Sequence, residues 1–166
     1  NDPGDDTNTN WTTTSWSTTT EDYVSTFSSI TDSPGSNYAN GENSYLTLSN
    51  SIDLFGVTDA NLTFQAKWDI ESNYDYVQIE VSIDNGNSWI PQCGNFTNEG
   101  VTNQSNASGE PLYDGSQSTW VSEFIDLKDY IGESILLRFS LISDFGVTGD
   151  GFYFDDFKVN VLAPMV

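Results

Sequence analysis

The stretch YVQIEVSIDNGNSW, residues 76–89, decides the fold. Val77, Ile79, Val81 and Ile83 alternate with Gln78, Glu80 and Ser82, the period of two that places one set of side chains in a core and the other outside. The run ends in Asp84-Asn85-Gly86-Asn87, whose Asn-Gly pair tolerates the positive φ angles of a tight hairpin turn. An antiparallel sheet is the expected outcome. The same alternation recurs outward from this stretch in NLTFQAKW (61–68) and SILLRFSL (134–141), and further strands are expected near 11–17, 23–31, 44–49, 119–126 and 151–161. Eight or nine strands at this spacing, with one short helical turn near LKDYIG (127–132), predict an all-β, antiparallel β-sandwich of jelly-roll type. At 166 residues the chain suits one domain, 11–166, behind a polar and flexible lead-in over residues 1–10.

Charge narrows the function. There are 25 Asp plus Glu against 4 Lys plus Arg, no histidine, and a formal charge of −21. Such a surface repels nucleic acid and anionic membranes, and no apolar run is long enough for membrane insertion. Bound divalent cations would offset the self-repulsion. The Ser, Thr, Asn, Asp and Gly richness suits an extracellular setting, secreted or at a cell surface, and the first residue, Asn rather than Met, fits a mature product or an excised domain. The polar segment 94–118 reads as a long surface loop, and Cys93 as a small, at least partly buried thiol.

The last strand breaks its own pattern. In GDGFYFDDFKV (149–159), Phe152 and Phe154 keep phase, but Phe157 and Val159 fall in the other phase. A β-bulge at Asp155 and Asp156 restores Phe157 to the core and turns one carboxylate toward the sandwich edge. Either a hard cation such as calcium compensates it, or the pair is solvated or caps backbone amides.

These motifs, with LYDGSQSTWVSEFIDLKDYIGESILLRFSLISD (112–144) and TDSPGSNY (31–38), resemble the β-sandwich accessory domain found downstream of the catalytic unit in secreted bacterial metallopeptidases. Those enzymes are the zinc carboxypeptidases and the immune-inhibitor-A-like peptidases, and the domain is related to MAM and carbohydrate-binding jelly rolls. The resemblance spans about Trp11 to Val161. It implies a structural Ca2+ in which Asp155 or Asp156 joins Asp32, with Asn37, Tyr38 and Asn40 as further ligands.

Catalysis is not expected. Without histidine and with one cysteine, Ser-His, Cys-His and imidazole-zinc devices are excluded, and carboxylate pairs arise by chance among so many acids. The turns GDG (149–151) and YDG (113–115) therefore read as turns. Three functions remain: a non-catalytic, calcium-stabilised module that stabilises or targets a parent exoenzyme, a carbohydrate-binding module that recognises polysaccharide or glycoprotein glycans, or a protein-binding adhesion module. Trp11, Tyr74, Tyr76 and Tyr113 are the expected exposed aromatics of a glycan platform, whereas Trp89 and Trp120 are expected in the core. Trp11 and Trp16, five apart, would face opposite sides of one regular strand.

Overall fold

The computed structural model describes residues 1–4 and 7–165. Its strands are β1 (Trp11–Thr13), β2 (Ser17–Thr19), β3 (Ser29–Thr31), β4 (Asn43–Leu48), β5 (Ile52–Asp53), β6 (Asp59–Ile70), β7 (Tyr76–Ser82), β8 (Ile90–Pro91), β9 (Asn98–Glu99), β10 (Pro111–Leu112), β11 (Gly115–Asp126), β12 (Ser134–Ile142) and β13 (Gly151–Leu162). One sheet runs β1-β4-β12-β7-β8, with β5 paired to the start of β12. The other runs β11-β6-β13-β3-β2, and β9 and β10 form a separate ribbon. All pairings are antiparallel. Two facing antiparallel sheets make the β-sandwich that the alternation predicts, and the helical turn appears as a 3-10 turn at Lys128–Tyr130. A second helical turn, Thr7–Asn10, precedes β1.

The core is aromatic. Phe139 of β12 stacks on Phe154 of β13 at 4.2 Å between ring centroids, and Trp68 stacks on Phe152 at 5.7 Å. The bulge delivers Phe157 to this cluster: the β13/β6 register shifts between Asp155 and Lys158, and Asp156 takes the left-handed conformation at φ 51°. Phe157 ends 3% exposed and meets Trp11 edge to face at 5.0 Å. Burying a ring of this kind contributes about 2–3 kcal/mol, which an unbulged strand would forfeit by pointing it outward.

Several local expectations are corrected. The 11–17 strand is two strands in different sheets, so both Trp11 and Trp16 point into the core between them and are buried. Of 23–31 only Ser29–Thr31 is strand. The Asn-Gly pair has positive φ, 59° at Asn85 and 87° at Gly86, but the pair that closes the hairpin is Val81 with Ile90. The connection is therefore a wide loop held by Asp84, whose carboxylate accepts bonds from Ser82 Oγ, Ser88 N and Ser88 Oγ, and Ile83 lies outside the strand and is exposed. Trp89 and Trp120 are half-buried on the outer faces, beneath the cations of Arg138 and Lys67. Cys93 is exposed.

Two segments expected to be loose are tied down. Asp2 is buried and bridges Phe157, and its carboxylate accepts bonds from Gly4 N and Trp11 Nε1; Asp5 and Asp6 of the lead-in lie outside the described residues. Strand β11 begins at Gly115, which shortens the long loop. The remainder is fastened by Glu123, whose carboxylate accepts bonds from Asn95 N, Phe96 N, Phe124 N and Tyr113 Oη.

Candidate functional site

Asp155 is fully buried, and its carboxylate accepts four bonds: from Val24 N at 2.7 Å, Ser25 N at 2.9 Å, Ser25 Oγ at 3.0 Å and Asp156 N at 2.7 Å. A carboxylate offers about four lone-pair sites, so these donors occupy it. Of the two readings of the bulge, the geometry supports the amide cap: Asp155 pins the 24–25 turn onto the last strand. Asp156 is half-buried. The N-terminal segment crosses the same spot, where a Cβ on Gly4 (φ 81°) would lie 3.0 Å from Asp155 Oδ1.

Asp32 is also buried and holds a different part of β13, accepting from Phe152 N at 2.8 Å and Ser33 Oγ at 2.6 Å. Burial raises its pKa to about 7 against the opposing pull of those two bonds, with the charges of Glu42 and Asp150 adding to the rise. Asp32, Asp155 and Asp156 do not form one cluster: among the described residues the three carboxylates within 4.8 Å of one another are Glu71, Asp75 and Asp144. Of the remaining expected ligands, Asn40 is exposed, Asn37 is exposed with its amide toward Thr148 O, and Tyr38 is buried beside that other cluster. The ligand set implied by the resemblance is thus divided among separate places.

The Glu71–Asp75–Asp144 cluster forms where three strands end. Glu71 follows β6, Asp75 precedes β7, and Asp144 follows β12. Asp75 is fully buried; its Oδ1 accepts from Asp144 N at 2.7 Å and its Oδ2 from Tyr38 Oη at 2.8 Å. Tyr38 Oη in turn accepts from Glu71 N at 3.0 Å, which ties the TDSPGSNY segment to the cluster. Asp144 Oδ1 accepts from Gly146 N at 2.6 Å. Glu71 Oε2 is buried with no hydrogen-bond partner. Burial pushes the Glu71 and Asp75 carboxyls above the usual carboxylate range, followed for Glu71 by the charges of Asp75 and Asp144 and for Asp75 by that of Asp144. Burial likewise raises the Tyr38 phenol.

What this cluster lacks is positive charge. Lys67 pairs with Asp22, Arg138 with Glu80, and Lys128 lies near Asp59 and Asp126. Lys158, the remaining basic side chain, stands at the bulge in β13. Three hard oxygen donors with one buried oxygen unpartnered match the donor chemistry of calcium, which accepts carboxylates, carbonyls and water at flexible geometry. Sequence reasoning missed Glu71, Asp75 and Asp144 because they come from two loops that fold together across 69 residues. The available signal was an acidic residue within a few positions after an alternating run, at Glu71 and Asp144.

The expected aromatic platform is not assembled. Trp11 donates its indole N–H to Asp2 within the core, and Tyr113 is fully buried with its hydroxyl on Glu123, its phenol pushed well up by burial. Tyr76 is 4% exposed, and Tyr74, at 45%, is open to solvent. The cause is shared: Trp11 and Tyr113 lie inside the sandwich rather than on its turns.

The fold and this site define an antiparallel jelly-roll module whose acidic side chains cap loops and gather at one end. Solved structures share the architecture. A carbohydrate-binding module in complex with β-1,4-galactotriose aligns with a TM-score of 0.53 at 15% identity, covering 96% of this chain and 94% of that one. The xylan-binding domain from Paenibacillus barcinonensis aligns with a TM-score of 0.55 at 14% identity, covering 99% and 93%. The K2 cleaved adhesin domain of Lys-gingipain aligns with a TM-score of 0.54 at 14% identity, covering 94% and 92%. At such identities the likeness is one of fold.

The family is given by sequence. Residues 7–164 match the immune inhibitor A-like MAM domain, and the chain belongs to that family. It is 28% identical over 114 residues to the pre-pro-metalloprotease PrtV of Vibrio cholerae, covering 69% of this chain and 12% of that protein. It is 25% identical over 123 residues to immune inhibitor A of Bacillus thuringiensis subsp. alesti, covering 73% and 16%. With bacillopeptidase F of Bacillus subtilis it shares 30% over 125 residues, covering 72% and 7%. The chain thus corresponds to a small part of each relative. Among the described residues no helix is long and apolar enough to cross a membrane.

Proposed function

We propose that the chain is a non-catalytic, calcium-stabilised accessory module of a secreted bacterial exoenzyme of peptidase type, which steadies the parent protein and holds it near its substrate. The accessory role follows from the family and from the small share of each peptidase relative that the chain matches. The absence of histidine and of any activated nucleophile in the sequence speaks against hydrolysis by the module itself. Calcium rests on one observation: three carboxylates within 4.8 Å at the strand ends, one of them with a buried, unpartnered oxygen. Glu71, Asp75 and Asp144 would hold the ion, which would supply the charge that lets three strand ends meet.

Calorimetry with calcium and with chelator tests this. An ion that binds only the native state stabilises by RT ln(1 + [L]/Kd), about 2.7 kcal/mol at a hundredfold excess over Kd, or roughly 5–10 °C in Tm for a domain of this size. Glu71→Gln and Asp144→Asn should each remove most of that rise. A midpoint that ignores calcium refutes the calcium reading.

A further inference from the structure

The outer face of the β1-β4-β12-β7-β8 sheet is laid out by register. Across β4, β12 and β7 lie three rows: Asn43, Ile142 and Tyr76; Tyr45, Ser140 and Gln78; Thr47, Arg138 and Glu80. Ser140, the smallest of the nine, sits at the centre, so the floor dips between Tyr45 and Gln78. The depression has a volume of about 200 Å3 and is overlooked by Asn106 from the long loop. A second hollow, of about 140 Å3, adjoins it through Tyr76, Asn106 and Ile142 and extends to the exposed Tyr74. Together they form one groove along the face.

The groove carries prearranged polar groups. The Arg138 guanidinium lies between two rings, its carbon 4.2 Å from the centroid of Tyr45 and 4.1 Å from that of Trp89, while its Nε donates to Glu80 Oε2 at 2.6 Å. Stacking and ion pair lock the side chain, and the guanidinium Nη groups have no hydrogen-bond partner among the described residues. Gln78 Nε2 is held by Pro111 O at 3.0 Å, which fixes the amide and leaves its oxygen as an acceptor. Asn43 and Asn106 are exposed. Fixed polar groups of Arg138 and Gln78 therefore lie along the groove between the half-buried Tyr45 and the exposed Tyr74.

Charge and backbone select the ligand. Arg138 is neutralised by Glu80, and a chain of charge −21 disfavours anionic ligands. The floor belongs to strands already paired on both sides, so it offers no free backbone edge for an added peptide strand. A neutral, extended, hydroxyl-rich chain meets the requirement: its hydroxyls satisfy fixed amides and guanidinium, and a ring face packs on the exposed Tyr74.

We infer that this groove is a subsite for a neutral polysaccharide, an inference that rests on the reading of the chain as a targeting module. Native affinity electrophoresis of the whole chain tests it, in gels containing soluble arabinoxylan, galactan or mixed-linkage β-glucan, with polygalacturonate as the anionic comparison. At least one neutral polymer should retard the protein. Tyr45→Ala, Ser140→Val and Asn106→Ala should each weaken that retardation at least tenfold, whereas Trp120→Ala, on the opposite sheet, should leave it unchanged. Asn106 is an exposed loop residue, so its variant keeps the test decisive if Tyr45→Ala misfolds. The inference is overturned if no neutral polymer retards the chain, if retardation survives in the folded groove variants, or if polygalacturonate retards it as strongly. Calcium-dependent melting of the same samples separates the two readings: an intact calcium response without retardation sinks the groove alone.

Discussion

Asp155→Ala is the sharpest probe of why the last strand carries adjacent carboxylates. The substitution removes the acceptor of Val24 N, Ser25 N, Ser25 Oγ and Asp156 N in one step. Bonds to a charged group contribute about 1.5–3 kcal/mol each, and a buried donor left unpaired costs about 1–3 kcal/mol. These donors are part-buried and some will rehydrate, and the lost bonds share one carboxylate, so a net destabilisation of about 3–5 kcal/mol is expected rather than the sum. For a chain of this length that is roughly 6–20 °C in Tm. The loss should be the same in calcium and in chelator, because the four donors already occupy the oxygens. Glu71→Gln should do the reverse: little change in chelator, where one of three crowded negative charges is gone, and loss of the calcium-dependent rise. Differential scanning calorimetry of the parent and both variants across a calcium titration reads both effects. If Asp155→Ala abolishes the calcium response while Glu71→Gln retains it, the amide-cap account of the bulge and the assignment of the cation site are both refuted.

Two further outcomes follow from the strand β13 neighbourhood. Asp32 has a pKa raised from 3.8 to about 7 by burial, so the folded state holds its proton more tightly than the unfolded chain does. Its contribution is fully present below pH 4 and declines as pH rises toward 7, at about 1.4 kcal/mol per pH unit and on the order of 4 kcal/mol in all. Asp32→Asn removes this dependence, so the variant should gain on the parent between pH 4 and 7 in urea titrations; a constant difference across that range would contradict the assignment. Gly151 has φ 92°, and an added Cβ would lie 2.1 Å from Asp32 Oδ1 and 2.5 Å from Ser33 Oγ. Gly151→Ala should therefore destabilise by about 2–4 kcal/mol through both strain and displacement of the Asp32 carboxyl, and an unchanged urea midpoint would show that the turn adapts.

Alternation was a reliable guide where strands are long and packed on one face. The 61–68, 76–82 and 134–141 runs are strands, and the phase slip at Asp155–Asp156 is a bulge, because a period of two admits no other way to bury Phe157. Short strands were less legible. Trp11 and Trp16 could not be assigned faces from their spacing, since the chain changes sheets between Thr13 and Ser17 and the parity rule applies only within one strand. The reading of Asp155 shows a different limit: the need for compensation follows from burial, but whether a cation or amide N–H groups supply it depends on a loop 130 residues earlier in the chain.

By itself the sequence determined the class, all-β and acidic, and the bulge at Asp155 and Asp156, since both follow from periodicity and from side-chain chemistry along the chain. Only the tertiary structure decided the sites. Glu71, Asp75 and Asp144 meet because β6, β7 and β12 end together, and Tyr45, Ser140 and Gln78 line one groove because β4, β12 and β7 are neighbours in register. Proximity of this kind is set by strand order, and strand order is fixed by how two sheets share one core, which no local pattern of residues encodes.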